Sequence, residues 1–476
     1  MTYAAVTPAI VAELRAIVGE KSVWVDEERL ETYAHDETSA EEYAHAPEAV
    51  VLPTTTEHVA AIVRLANHHH IPITPRGAGS GLSGGAIPVF GGILISLERM
   101  DKLIDLDLDN MTITAEAGMV TNDLAHTVAE HGLFFAGYPM SVETCQIGGN
   151  IAENAGGGKA VKYGVTGRYV LGLELVTPTG DVVWLGGKLA KDVSGYDLKQ
   201  LVIGSEGTLG IVTQAIIKLT AYPKAASDLL VLFESPRAAI DLVPRMLRQG
   251  IVPTGIEFMD RLSFQTSCEY LNETLPSENA GAMLLIEVDG NDPAAVEADL
   301  LAIGDLCEKH GAIEVYVAED RNAVERVWAV RRNIAEAFKV ASPVQSLEDI
   351  VVPVASIPDV IPELERLAAT YGMQIPCYGH AGDGNLHATL VKDPAMDDAT
   401  WLRNKDACLR ELYRFVQGLG GKISGEHGIG LKRKKYLPDV TNPVEIDLMR
   451  AIKRAWDPNL IMNPGKVFDL AASRST

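Results

Sequence analysis

Cysteine is scarce in this chain, with 5 residues in 476. Cys145, Cys268, Cys307, Cys377 and Cys408 are odd in number and far apart, and no C-x-x-C pair occurs. That spacing excludes a zinc knuckle, an iron–sulfur cluster and a redox disulfide, and reduced thiols are expected. Long apolar runs are also missing. No stretch reaches the roughly 18 residues of a membrane span, and the N-terminus shows no basic region leading into an apolar core, so a cytoplasmic protein is expected. Positive charge is in deficit as well. Lys and Arg number 41 against 64 Asp and Glu, a net charge of −23. Such a field repels phosphate backbones and anionic membrane surfaces, which excludes nucleic acid as the expected partner. An anionic substrate would need local cations or a metal to overcome it.

What is present is ordinary for a globular chain, 47% hydrophobic and 22% charged. At about 150 residues per domain the length allows roughly two to four domains. From residue 8 to about 222, helices alternate with short β runs. Thr56 to Leu65 reads as a capped amphipathic helix and Ile71 to Thr74 as a strand. Gly91 to Leu97 and Thr112 to Ala117 read as strands, and Thr121 to His131 as a helix ended by Gly132. Leu171 to Val176 and Val182 to Leu185 flank Thr177-Pro178-Thr179-Gly180-Asp181, a hairpin signature. Near Asp228 the rhythm becomes β-α-β-β-α-β, with strands at 229–233, 255–259, 283–288 and 313–317 and helices at 235–248 and 293–310. This is the ferredoxin-like order. A long helix over 321–340, a strand at 350–353, a histidine-rich strand–loop–strand over 375–391 and a helix over 442–456 follow. The expected fold class is α+β, with a domain at 1–222, a second at 223–430 and a closing segment at 431–476.

Three segments are rich in glycine. The first, Pro75-Arg76-Gly77-Ala78-Gly79-Ser80-Gly81-Leu82-Ser83-Gly84-Gly85, satisfies the G-x-G-x-x-G string. A strand signal rather than a helix follows it, which argues against a Rossmann turn, while backbone N–H groups crowding a diphosphate remain physically sensible. The second, Ser141-Val142-Glu143-Thr144-Cys145-Gln146-Ile147-Gly148-Gly149-Asn150-Ile151-Ala152-Glu153-Asn154-Ala155-Gly156-Gly157-Gly158, interleaves hydroxyls, amides and apolar residues, unlike a flexible spacer. It suits a backbone pressed against a flat heteroaromatic ring. The third, Gly204-Ser205-Glu206-Gly207-Thr208-Leu209-Gly210-Ile211-Val212-Thr213, is a glycine-rich turn feeding a strand. Three such approaches in one domain are what wrapping an extended dinucleotide requires.

These segments, with Lys191-Asp192-Val193-Ser194-Gly195-Tyr196-Asp197, resemble the FAD-binding domain of the vanillyl-alcohol oxidase/p-cresol methylhydroxylase superfamily. Within it the chain is similar to the D-2-hydroxyacid dehydrogenases, the D-lactate dehydrogenase and glycolate oxidase FAD-subunit group, from about Ala49 to Leu470. The resemblance implies a two-part FAD domain, a ferredoxin-like substrate cap and a C-terminal segment returning to the FAD domain. It implies that Arg76 to Gly81 holds the FAD diphosphate, that Gly148 to Asn154 lies beside the isoalloxazine, and that Gly210 to Val212 contacts the adenosine portion. Asn463, in Ile461-Met462-Asn463-Pro464-Gly465-Lys466, is expected to touch FAD. Some relatives tether the flavin through a His near the first loop. Here only His126 and His131 lie between Ile71 and Ser141, both in an expected helix, so non-covalent FAD is expected.

Gly379-His380-Ala381-Gly382-Asp383-Gly384-Asn385-Leu386-His387 and Gly425-Glu426-His427-Gly428 form a fourth constellation. Two imidazoles and a carboxylate suit Zn²⁺ or Mn²⁺, and three protein ligands leave positions for substrate. A spacing of seven is not that of a helix pair, so a loop must bring the two histidines together. His68-His69-His70 instead reads as a solvated helix end. The resemblance implies that His380, His387 and Glu426 are metal ligands and His427 the catalytic base, with the α-hydrogen leaving as hydride to flavin N5. In Val327-Trp328-Ala329-Val330-Arg331-Arg332 the family's W-x-x-R segment makes Arg331 the favoured clamp for the substrate carboxylate. A salt bridge is the alternative for Arg331 and the better reading for Arg332. Relatives acting on 2-hydroxyglutarate carry a Thr four residues on and a Lys before the next strand. This chain has Ala335 and Gln345-Ser346-Leu347-Glu348 there, which argues against a second substrate carboxylate.

The expected function is FAD-dependent oxidation of a small D-2-hydroxy acid, D-lactate or glycolate, to the 2-oxo acid. The expected electron acceptor is external, an electron-transferring flavoprotein or an iron–sulfur subunit. The rivals are a flavoenzyme of this fold acting on D-2-hydroxyglutarate or making ether lipids, and a non-catalytic flavin- or metal-binding subunit of a larger redox complex.

Overall fold

The computed structural model describes residues 2–277, 279–318 and 321–470. The chain forms two compact units. One comprises Met1–Gly156, Val165–Tyr222 and Glu426–Thr476, the other Gly157–Gly164 and Pro223–Gly425.

In the first unit, the helix Thr56–His69 starts where Thr55, one residue ahead of the expected start, accepts the N–H of His58. Its Val59, Ala60, Ile62, Val63 and Ala66 are buried, the stripe that the 3.6-residue period predicts. A four-stranded sheet runs in the order Val23–Trp24, Ala49–Val51, Ile93–Ser96, Ile73–Arg76. Its last three strands are parallel. A five-stranded antiparallel sheet runs Leu103–Asp107, Thr112–Glu116, Ile211–Lys218, Val170–Val176, Val182–Gly186, and its last pair is the expected hairpin. The chain's end returns to this unit. Ile73 donates its N–H to Ile461 at 2.8 Å and accepts that of Asn463 at 2.7 Å, adding one more rung to the first sheet.

The second unit carries a seven-stranded sheet in the order Ala312–Val317, Ala225–Phe233, Ala282–Gly290, Gly255–Asp260, Cys377–His380, Asn385–Val391, Gln345–Val351. The first four are the ferredoxin-like strands, and the histidine hairpin with its neighbour extends their sheet. Both faces are covered. Leu230 and Leu232 pack with Phe264, Val330, Ile334 and Phe338 of the added helices, while Leu229 and Val231 are buried on the opposite side. The helix Arg261–Leu271, inserted between two expected strands, was not legible in the sequence pattern. Asp260 starts it by accepting the N–H of Ser263, and with its other oxygen accepts that of Cys377 at 2.6 Å.

The helix expected over 321–340 is two, Arg321–Arg332 and Ile334–Ala341. Between them Asn333 donates its side-chain amide to the carbonyl of Ala329 at 2.8 Å, a local bond that competes with the helix ladder. The stretch Gly157–Gly164 belongs here through ion pairs. Lys159 meets Glu287 at 2.6 Å and Lys162 meets Asp289 at 2.5 Å, with Tyr163 donating to the same Asp289.

Candidate functional site

The first glycine-rich segment leaves a strand and turns. Pro75 and Arg76 end the strand Ile73–Arg76, and the backbone doubles back at Gly79 with φ +75°. A Cβ at Gly79 would lie 2.1 Å from the Arg76 guanidinium, so only glycine lets that side chain fold across the turn. Arg76 donates to the His35 carbonyl at 2.7 Å and lies over the Tyr33 ring. The turn is pinned further along, where Glu37 donates its N–H to the Gly81 carbonyl and Gly84 donates its own to Asp36. Gly77, Ala78 and Ser80 make up the rest of the bend. Asp36 was not singled out in the sequence.

The second segment holds a short helix. Ile147–Glu153 is helical and ends at Asn154, in the left-handed conformation at φ 54°. Gly148 packs on Ala117, where a Cβ would meet its neighbour at 2.8 Å, while Gly149 is open. Asn150 is buried and donates to Thr121 at 2.7 Å, and Asn154 accepts the N–H of Gly167 at 2.9 Å. Ser141 and Thr144 form the exposed turn before it. Cys145, in the same turn, donates to Thr121, and burial pushes its thiol up, the profile of a packed residue rather than a nucleophile.

The third segment meets the second. Glu206 donates its backbone N–H to the Ala152 carbonyl, and its buried carboxylate accepts the N–H groups of Ile429 and Gly430 at 2.8 and 2.6 Å. Gly210 opens the strand that buries Ile211 and Val212. Burial pushes the Glu153 carboxyl well above the ordinary carboxylate range, and the Glu206 charge adds to that. Burial raises the Glu206 carboxyl as well, while the N–H groups of Ile429 and Gly430 oppose that rise. Lys466 is buried too, and desolvation pulls its ammonium down to about 7 against the attraction of Asp36 and Glu206. Asn463 donates to the carbonyls of Gly85 and Glu206. Gly156 lies against the Glu426 side chain.

Buried oxygens of this unit that find no hydrogen-bond partner among the described residues include Gln146 Oε1, Glu153 Oε2 and Asn463 Oδ1. Buried polar atoms are normally satisfied. Orphaned oxygens on the second segment and on Asn463, with the tight glycine turn, fit a bound polar ligand.

The histidine hairpin lies in the other unit. Tyr378 faces His387 across the ladder and His380 is two residues further on, so both imidazoles stand on one face as diagonal neighbours. Their rings are 5.5 Å apart and perpendicular. Gly384, at φ +89°, lets the connection pass; a Cβ there would meet the Val352 carbonyl oxygen at 2.0 Å. His380 Nδ1 lies 2.7 Å from Glu257, and Arg331 reaches the other oxygen of that carboxylate at 2.6 Å, with both side chains nearly fully buried. Arg331 also lies over the Tyr378 ring. Its helix is held in register by Trp328, which donates to Asp228 at 2.8 Å, and by Ser267, which donates to the Val330 carbonyl. Arg332 instead points to Glu325 at the surface. Arg331 Nε is buried and has no acceptor among the described residues.

Asp349, on the strand Gln345–Val351, accepts from Asn385, from the Ser424 hydroxyl and from the Gly425 N–H at 2.6, 2.6 and 2.9 Å, and its Oδ1 lies 3.9 Å from His387. The backbone just ahead of Glu426 and His427 is thereby anchored. Glu257 and Asp349 were missed in the sequence. The signal available was a carboxylate inside an apolar strand pattern, Gly255-Ile256-Glu257-Phe258-Met259 and Leu347-Glu348-Asp349-Ile350.

Residues 47–186 match the FAD binding domain model, and residues 222–467 match that of the FAD linked oxidases, C-terminal domain. The chain belongs to the FAD-linked oxidases. The glycolate oxidase subunit GlcD of Bacillus subtilis is 40% identical over 442 residues, 92% of each chain. A D-lactate dehydrogenase of Anaerostipes hadrus is 36% identical over 471 residues, 98% of each. A D-2-hydroxyglutarate dehydrogenase of Stutzerimonas stutzeri is 32% identical over 464 residues, 97% of this chain and 99% of that one. The structure of p-cresol methylhydroxylase with substrate bound superposes with a TM-score of 0.80 at 21% identity, covering 98% of this chain and 97% of that one. This oxidase therefore has the FAD fold of that superfamily. Among its described residues, no helix is long and apolar enough to cross a membrane.

No histidine or cysteine lies in the first glycine-rich turn, so denaturation of the oxidase should free the flavin. The yellow colour is expected in the supernatant after acid precipitation. Flavin that stays with the pellet would establish a covalent link.

Proposed function

We propose that this FAD-linked oxidase oxidises a small 2-hydroxy monocarboxylate, D-lactate or glycolate, to the 2-oxo acid. Relatives whose names carry glycolate and D-lactate, at 40% and 36% identity over nearly the whole chain, support the substrate class. The observation that carries the reading is a buried guanidinium, Arg331, sharing one carboxylate with His380 and keeping a donor, Nε, without an acceptor among the described residues. A substrate carboxylate satisfies that donor.

In this reading Arg331 holds and orients the carboxylate. His427 takes the proton of the α-hydroxyl on its imidazole. His380, His387 and Glu426 hold a divalent cation, Zn²⁺ or Mn²⁺, a donor set of two imidazoles and one carboxylate that such ions accept. Arg76 to Gly81, Gly148 to Asn154, Gly210 to Val212 and Asn463 hold FAD. When bound, FAD supplies a hydride acceptor and the cation an electrophile at the substrate oxygens. The position four residues beyond Arg331 is Ala335, which offers nothing to a second carboxylate. Electrons leave to an external acceptor, an electron-transferring flavoprotein or an iron–sulfur subunit, and the chain's charge of −23 favours a basic docking face on it.

The test is anaerobic mixing of the yellow protein with D-lactate, glycolate, L-lactate and D-2-hydroxyglutarate. Bleaching of the flavin by D-lactate or glycolate is expected. Bleaching by D-2-hydroxyglutarate alone would reassign the substrate, and no bleaching by any of them would point to a non-catalytic subunit.

A further inference from the structure

We propose that Glu257 is a positioning residue of the oxidase, one buried carboxylate that orients the metal-binding ring of His380 and the carboxylate-binding guanidinium of Arg331 together. The inference rests on the reading of His380 as a ligand and of Arg331 as the clamp. Glu257 sits directly opposite His380 in the ladder between Gly255–Asp260 and Cys377–His380. Its Oε1 meets Nδ1 of His380 at 2.7 Å and its Oε2 meets Arg331 at 2.6 Å. The Glu257 side chain is fully buried, and those of Arg331 and His380 are 4% and 3% exposed.

A carboxylate in that position costs several kcal/mol of desolvation unless it is paired, and the Arg331 charge supplies the pair. By accepting a hydrogen bond from Nδ1–H, Glu257 holds the tautomer in which Nε2 is the ligating nitrogen. Carboxylate–histidine–metal arrangements use the same device. The connection is rigid because Gly158 closes over it. A Cβ on Gly158 would lie 2.8 Å from Glu257 Oε1 and 3.7 Å from His380 Nδ1. Aspartate, one methylene shorter, would not span both partners.

The experiment uses the FAD-loaded protein, titrated with Mn²⁺ and Zn²⁺ by equilibrium dialysis, in wild type, Glu257→Gln and Gly158→Ala. The wild type should bind one ion. Glu257→Gln should bind it about 10–100-fold more weakly, the loss typical of an outer partner of a ligand, with unchanged FAD content. The KM for D-lactate should rise, and the visible spectrum of the Co²⁺-loaded protein should change. Gly158→Ala, which alters no charge and no ligand, should weaken the ion in the same sense by displacing the carboxylate.

Wild-type affinity and an unchanged Co²⁺ spectrum in both variants would overturn the positioning role and leave the metal reading standing. A wild type that binds neither Mn²⁺ nor Zn²⁺ would overturn the metal reading and this inference with it. Should Glu257→Gln fail to fold because Arg331 is left unpaired, the double variant Glu257→Gln/Arg331→Met removes the orphaned charge. Weak metal binding is expected there too, and wild-type affinity would refute the role.

Discussion

His427→Asn is expected to keep its FAD and its metal, yet to be reduced by D-lactate about 10²–10⁴-fold more slowly than wild type, the usual cost of removing a general base. Asparagine preserves the approximate shape of the ring but accepts no proton at neutral pH. His427 lies beside Glu426, with 3.8 Å between Nε2 and the nearer carboxylate oxygen. It follows a backbone that Asp349 anchors through Ser424 and Gly425. The deficit should shrink as the pH rises, because solvent then takes the hydroxyl proton. Stopped-flow absorbance of the flavin under anaerobic conditions measures the step directly. A variant reduced at the wild-type rate would place the base elsewhere.

His387→Ala should lose the divalent ion and, with it, flavin reduction. Two of the three expected ligands stand on one hairpin face, and an ion sharing three protein ligands is weakened by loss of one more than by the roughly 10–100-fold that an outer partner costs. Chelation of the wild type should give the same phenotype. FAD should remain in both cases, because the glycine-rich turn and the orphaned oxygens proposed to hold it lie on segments separate from the hairpin. Metal analysis after dialysis, read beside the 450 nm flavin absorbance, separates the two losses. Metal-stripped protein reduced at full rate would defeat the assignment.

Much of the architecture is local and so was readable from the chain. Cap residues such as Ser235 and Asn442 start helices through bonds to backbone N–H groups two or three residues on. The ferredoxin-like order followed from periodicity alone. The hairpin at 170–186 followed from its turn residues, and the glycine at Gly79 announced a backbone that must approach something closely. The pairing of His380 with His387 was legible as chemistry, and antiparallel register supplies the geometry that helical spacing does not.

The tertiary structure decided what depends on partners distant in sequence. Whether Arg331 was a surface salt bridge or a buried group turned on Glu257, 74 positions earlier, which no periodicity links to it. Its neighbour Arg332 carries the same charge and reaches solvent-side Glu325 instead. The segment Ile147–Glu153 carries two adjacent glycines, which lower helix propensity. It is helical because Ala117, Thr121 and Glu206 satisfy its packing and its polar groups. Glu257 is a carboxylate inside an apolar strand and Asp349 directly follows another carboxylate, Glu348, and a linear pattern does not say which cation or N–H group will meet them. Burial makes those meetings obligatory, since an unpaired charge inside the protein costs more than folding can return, and only the folded chain names the partner.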